Sequence, residues 1–341
     1  MTPRILCLCG LLAILFFACK NDPKPATTPD GQQIDPELSA LNALLEKNPD
    51  NDSLLYLRAE VYHKLEGYDE ALSDLSHAMQ LDSMKPAYYH LMADVLLDYA
   101  RPNDSRRAIN VLLTAAYKFP NRIPTLLKLS EFQLIVQQHS DALQTLDRIL
   151  QRDPQNAEAF FMAGRVALDK GDTTAAVASL QKSVKIDATN EDAWMFLGRI
   201  FTNRNNPLAL QYFDNILRLD SNNLEALEMK GVFYKRTGAF DKAFNIYRNI
   251  IVRNPDYSNA YFDMGMIYLE QDSFPKAYDN FDLAIKTDPL FIRAFYYRGL
   301  TSELQGNTDA AIADYRQASG MAPDFKEAKD ALERLKKKSG K

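Results

Sequence analysis

Apolar residues recur along most of this chain at helical spacing. Between Asn259 and Pro289, the residues Tyr261, Met264, Gly265 and Tyr268 stand at i, i+3, i+4 and i+7, the stripe of an amphipathic helix. After a polar turn, Ala277, Phe281 and Ala284 repeat that spacing, and Pro289, following Asp288, cannot supply the amide that would prolong a second helix. This segment predicts two short helices folded against each other. The same pattern returns eight times: the small residue opening the second helix is Ala71, Ala108, Ala142, Ala176, Ala209, Ala243, Ala277 and Ala311, at steps of 37, 34, 34, 33, 34, 34 and 34 residues. A small residue marks the first helix as well, at Ala59, Ala93, Ser130, Gly164, Gly198, Gly231, Gly265 and Gly299. Two helices of this length cannot bury their apolar stripes alone, so each pair needs a neighbour on both sides, and stacking supplies the core. Gly or Ala at the crossing lets the two backbones approach closely.

At this point the chain resembles the tetratricopeptide repeat (TPR) family, whose signature is an aromatic or Leu, then Leu-Gly, a Tyr, two Ala flanking an aromatic, and a Pro. The stretch DAWMFLGRIF, Asp192 to Phe201, matches that signature best, and the resemblance covers about residues 52–325. It implies an all-α fold, a right-handed α-solenoid of about eight TPR helix hairpins with N- and C-terminal capping helices. The expected repeats are 52–85, 86–122, 123–156, 157–190, 191–223, 224–257, 258–291 and 292–325. Asp35-Pro36 suits a helix start, and Leu38, Leu41, Leu44 and Leu45 form one stripe, so 35–51 reads as an N-terminal cap. After Pro323, the apolar side of 326–341, with its charged opposite side, reads as the polar terminal helix a solenoid needs.

Residues 1–18 carry one charge, Arg4, and an apolar run from Ile5 to Phe17, shorter than the roughly 20 residues that span a bilayer, which reads as a secretory leader. The run ends in Phe16-Phe17-Ala18-Cys19, which resembles a bacterial lipobox and implies acylation of Cys19. All 3 cysteines, Cys7, Cys9 and Cys19, lie in this region, so no disulfide framework can form in the mature chain. Two or three acyl chains would anchor the protein stably at the membrane. Lys20, standing where Asp would retain a lipoprotein, resembles the outer-membrane sorting signal, on the periplasmic or the surface side. Residues 19–34 hold Pro23, Pro25 and Pro29 and almost no large apolar group, which reads as a disordered tether.

Charge and chemistry narrow the function classes. With 40 Lys+Arg against 45 Asp+Glu the net charge is -5, which repels phosphate backbones and argues against nucleic-acid partners. The 4 histidines, His63, His77, His90 and His139, sit in no HExxH, no Cys partners them, and no phosphate loop or nucleophile elbow is present. No enzymatic reaction, cofactor, metal or small-molecule substrate is expected. The positions that carry information are the fifth and ninth of each first helix, which the family's register points into a concave groove: Tyr56 and Glu60, His90 and Asp94, Leu127 and Glu131, Phe161 and Arg165, Met195 and Arg199, Glu228 and Val232, Phe262 and Met266, Tyr296 and Leu300. The family's carboxylate-clamp residues, Lys and Asn, are absent from the first repeat, where Tyr56 and Glu60 stand. The expected partner site is therefore Phe161, Arg165, Met195, Arg199, Phe262, Met266 and Tyr296, with apolar groups exposed and Arg165 and Arg199 reading an acidic group on a protein or peptide. Arg165 has a plainer reading, since Glu131 can pair with it across repeats and Asp169 stands at i+4, whereas Arg199 has no carboxylate at i±3 or i±4. The resemblance implies a membrane-tethered scaffold, an assembly or adaptor factor at the cell envelope. The other reading is an accessory glycan- or nutrient-binding lipoprotein, which a row of aromatics facing the groove would favour.

Overall fold

The computed structural model describes residues 35–339. The expected leader at 1–18, Cys19, the tether at 19–34 and the last two residues of the chain lie outside the described residues. Among the described residues there are eighteen helices and no strand. The chain divides after Asn121 into two compact units. The first unit holds α1 (Pro36–Lys47), α2 (Asp52–Lys64), α3 (Tyr68–Leu81), α4 (Pro86–Tyr99) and α5 (Asp104–Lys118). The second begins with α6 (Ile123–Ile135), α7 (His139–Leu150), α8 (Ala157–Asp169), α9 (Thr173–Ile186), α10 (Glu191–Asn203) and α11 (Leu208–Leu219). It continues with α12 (Leu224–Arg236), α13 (Phe240–Arg253), α14 (Ser258–Glu270), α15 (Phe274–Thr287), α16 (Ile292–Leu304), α17 (Thr308–Met321) and α18 (Lys326–Ser339).

Within each unit the helices pack as hairpins stacked in chain order, α2 with α3 and α4 with α5, then α6 with α7 through α16 with α17, so that each unit is an α-solenoid. First helices of neighbouring hairpins also touch, α2 with α4 in the first unit, and α6 with α8, α10 with α12 and α12 with α14 in the second, so that within each unit the first helices form a layer. The helix α1 covers the free side of α2, and α18 covers that of α17.

Local chemistry punctuates the helices at a fixed register. Asn51, Asn156, Asn190 and Asn223 each cap a first helix by accepting a bond from one or two of its orphan amides. Second helices end where an aspartate turns back on the chain: Asp82, Asp187, Asp220 and Asp288 each accept from the amide two residues on. The break inside each hairpin places one residue at positive φ, and Gly171, Gly238 and Gly306 occupy it at 80°, 73° and 83°. The longer turn of the second repeat spends two such residues, Ala100 and Asn103.

The core runs between the two helices of every hairpin. An added Cβ on Gly198 would stand 2.3 Å from Phe213, on Gly231 2.6 Å from Tyr247 and on Gly265 2.7 Å from Phe281. All three rings are fully buried, each contributing on the order of 2 to 3 kcal/mol by leaving water. The end hairpins add a charged clasp at one shared register. Arg58 donates to both Asp74 oxygens, at 2.7 and 2.7 Å, and to Asn42 at 2.8 Å, tying α2 to α3 and α1. Arg298 likewise donates to Asp314 at 2.9 and 2.6 Å and to Asp282 at 2.6 Å, tying α16 to α17 and α15. In each clasp the guanidinium fork meets a buried aspartate, Asp74 or Asp314, and a second acceptor, Asn42 or Asp282, so the buried carboxylates are paired and not merely desolvated. At the far end, Arg334 of α18 grips Glu303 of α16 through both oxygens.

Candidate functional site: a groove on the first-helix layer

In the second unit, three clefts adjoin along the layer of first helices. The first, about 340 Å³, is walled by Leu127, Glu131, Glu158, Phe161 and Arg165. The second, about 450 Å³, runs past Leu134, Arg165, Leu168 and Phe196. The third, about 150 Å³, lies among Asp192, Met195, Phe196, Arg199 and Glu225. Arg165 belongs to the first two and Phe196 to the second and third, so the clefts form one groove across α6, α8, α10 and the start of α12. Its floor is apolar, since Phe161, Met195 and Phe196 are only half-buried, and its edge is a row of acids. Glu158, Asp192 and Glu225 each sit three residues before the fifth position of their helix, one turn nearer its start.

The structure divides the expected site residues. Phe161, Arg165, Met195 and Arg199 are brought together in this groove. Phe262 is not exposed: it is 4 % accessible and lies against Phe281, Phe291 and Tyr297, at ring separations of 5.6, 5.0 and 5.6 Å. The aromatics of the following repeat cover it and make it core. Met266 packs against the same cluster. Tyr296 is half-buried, 5.1 Å from Phe325 and 5.5 Å from Tyr315 beside the terminal helix, and, like Met266, it lies apart from this groove. Two partly open rings, Phe161 and Phe196, line the groove with centroids 5.9 Å apart.

The arginines differ from expectation as well. Arg199 donates to Glu225 on the next first helix, 26 residues away, so neighbours within one turn did not reveal its partner. Arg165 lies 3.8 Å from Glu131, touches the Met162 sulfur and leans over the Phe161 ring. Both cations are compensated by the protein itself and do not wait for an acidic ligand. Sequence reasoning passed over the acids of the second position and Phe196; the recurrence of Glu158, Asp192 and Glu225 one turn before the chosen residues was the signal available.

Glu228, the fifth position of its repeat, is held differently. It accepts a bond from the Tyr257 hydroxyl at 2.6 Å, and burial pushes its carboxyl above the usual carboxylate range despite that bond. Nearby, Lys235 neutralises the buried Asp263 at 2.5 Å. In the first unit, Tyr56 donates to Glu60 at 2.8 Å and stacks on Tyr88 at 5.1 Å, and burial pushes the Tyr56 hydroxyl up to about 12. Three histidines each pair with one aspartate of an adjoining element, His63 with Asp98 at 2.7 Å, His139 with Asp169 at 2.5 Å and His77 with Asp50 at 3.3 Å. They tie repeats together and are distributed singly along the chain. Among the described residues no group of three or more His, Cys, Asp or Glu is arranged to hold a metal ion, and no helix is long and apolar enough to cross a membrane.

The fold and the groove define the class, an α-solenoid repeat protein with a recessed face. The tetratricopeptide repeat family profile matches residues 136–193 and 262–324, and these two stretches carry repeats of this kind. Among curated proteins, it is 23% identical to Tetratricopeptide repeat protein 6 of Homo sapiens, over 70% of this chain and 39% of that protein. It is 23% identical to Anaphase-promoting complex subunit 3 of Schizosaccharomyces pombe, over 80% of this chain and 34% of that protein. The chain thus spans well under half the length of these two relatives. Of solved structures, it is similar to a tetratricopeptide repeat protein of Parabacteroides merdae, with a TM-score of 0.56 at 18% identity, covering 72% of this chain and 98% of that one. It is also similar to PilW, a type IV pilus biogenesis factor, with a TM-score of 0.51 at 18% identity, covering 61% of this chain and 96% of that one. At such identity the structural likeness establishes the fold. Repeats of this kind are scaffolds for protein–protein interaction.

Proposed function

We propose that the protein is a membrane-tethered scaffold that holds a protein or peptide partner in the groove across α6, α8, α10 and α12, working as an assembly or adaptor factor at the cell envelope. The observation that carries the reading is the chain of adjoining clefts in which Phe161, Met195 and Phe196 stay partly open to water. These side chains pack on the core beneath them yet leave part of their apolar area open, and apolar area of this kind marks a binding face. That a curated relative is by name a subunit of a larger complex suits an adaptor role. The envelope half of the proposal rests on the apolar run ending at Cys19 and on the proline-bearing tether that follows.

Two measurements test it. Phe161→Asp combined with Met195→Asp is expected to keep the helical circular dichroism while partner recovery by crosslinking in detergent-solubilised membranes is lost; full recovery would move the partner site elsewhere. Cys19→Ser is expected to shift the protein from the membrane to the soluble fraction, and a variant still sedimenting with membranes would remove the lipid anchor from the proposal.

A further inference from the structure

The groove's own ion pairs point to the charge of what enters it. Of its three cations, Arg199 is taken by Glu225, Arg165 by Glu131, and Lys128 lies 5.6 Å over the Phe132 ring, leaving the lining acids in the majority. Among the described residues, no ion pair engages Glu158 or Asp192, which line the groove beside its open apolar groups, and none engages Glu228, the fifth position of the following repeat. Glu228 stands where the two preceding repeats place Phe161 and Met195, and a carboxylate loses hydration there with only neutral groups in return, the Tyr257 hydroxyl and the Asn259 side chain. A second, independent feature lies beneath it. The Tyr247 hydroxyl is fully buried with no hydrogen-bond partner, and burial together with the carboxylates of Asp263 and Glu228 pushes its pKa up. Glu228 is therefore compensated by neutral hydrogen-bond donors alone, with no cation of the protein paired to it.

We infer that the occupant of the groove is an extended, positively charged peptide segment, whose Lys or Arg side chains lie along Glu158, Asp192 and Glu228 while its apolar groups rest on Phe161, Met195 and Phe196. A cation brought to Glu228 replaces the water it has lost, and charge of the right sign along one edge fixes the register of an extended chain. The arginines take a positioning role: each holds a neighbouring acid, Glu131 or Glu225, in place, and together they leave the groove edge net negative.

This inference rests on the groove reading above, and the experiment separates the two. Fluorescence anisotropy would follow the binding of two labelled synthetic peptides, one of repeated Lys-Ser-Leu-Ser units and one with every Lys replaced by Glu. The wild type is expected to hold the Lys peptide about tenfold more tightly, the effect of two or three partly exposed ion pairs. That preference should weaken at high salt. Glu158→Gln with Asp192→Asn and Glu228→Gln should abolish the preference. A control of equal charge change on exposed acids elsewhere, Asp241→Asn with Asp256→Asn and Asp279→Asn, should keep it. Circular dichroism confirms that all variants are folded. A preference for the Glu peptide, equal loss in the control, or binding of neither peptide would overturn the inference. If the Glu peptide is preferred and Phe161→Ser with Met195→Ser abolishes its binding, the groove reading stands and only the charge is wrong. If binding is indifferent to those two substitutions, the groove itself is not the site.

Discussion

The early and late repeats answer one packing demand with opposite partners. In the first three, the small residue of the first helix is Ala59, Ala93 or Ser130, and the large residue four positions after the second-helix alanine is Leu75, Leu112 or Leu146. In the last four, the small residue is Gly198, Gly231, Gly265 or Gly299, and the large one is Phe213, Tyr247, Phe281 or Tyr315. The fourth repeat stands between them, with Gly164 set against Leu180 so closely that an added Cβ would lie 2.7 Å from the leucine. All eight large side chains are buried to 1 % accessibility or less. What is held along the array is thus the combined volume at each crossing: a ring is admitted where the facing Cβ is removed, and a leucine suffices where it is kept.

The largest expected effect comes from emptying a late crossing. Phe281→Ala removes a ring that touches Gly265 and Phe262 and is expected to cost about 3 to 5 kcal/mol, with no facing Cβ to close the cavity. Because repeats are stabilised by their neighbours, the loss should be read as faster hydrogen exchange centred on α14 and α15, as well as a lower melting temperature. Unchanged protection in α14 would mean that the ring is not the keystone of its hairpin.

Overfilling should cost less and should depend on which half of the chain receives it. Gly265→Leu, set against Phe281, is expected to cost on the order of 1 to 3 kcal/mol. The milder Gly265→Ala should be rescued in part by Phe281→Leu, which rebuilds the early type of crossing inside the late region. In the other direction, Leu75→Phe should destabilise the first hairpin, and Ala59→Gly should restore part of the loss. Coupling of about 0.5 kcal/mol or more in either double-mutant cycle would support volume complementarity, and additive effects would contradict it.

These crossings were legible as a register but not as a pairing. The period near 34, the small residues and the turn residues all follow from local spacing, so the hairpins and their order could be read from the sequence. The groove could be read only in part, because exposure at the fifth position depends on what the following repeat brings over it. Phe161 and Met195 stay half-open, as does Tyr296 beside Phe325, whereas Phe262 is closed by Phe291 and Tyr297. Likewise the partner of Arg199 lies on the next first helix, beyond the reach of rules for neighbours on one helix. The clasps of Arg58 and Arg298 span 16 residues to either side, a spacing that becomes meaningful only once hairpins are stacked.

The smallest effect discriminates among the aromatic crossings themselves. Phe213 and Phe281 bring no polar atom into the core, while Tyr247 and Tyr315 each bring a hydroxyl. Tyr315 donates it to Glu303 at 2.9 Å, on the same carboxylate that Arg334 grips from α18. Tyr247 has no partner for its own hydroxyl. An unpaired buried hydroxyl costs about 1 to 3 kcal/mol, whereas a made hydrogen bond contributes about 1 kcal/mol net. Tyr247→Phe is therefore expected to leave stability unchanged or raise it slightly, and Tyr315→Phe to lower it by about 1 kcal/mol and loosen α18. Urea denaturation of the two single variants would show the difference in sign. Equal losses in both would mean that the Tyr247 hydroxyl finds an acceptor in solution, with the Asp263 and Glu228 carboxylates the nearest groups to supply one.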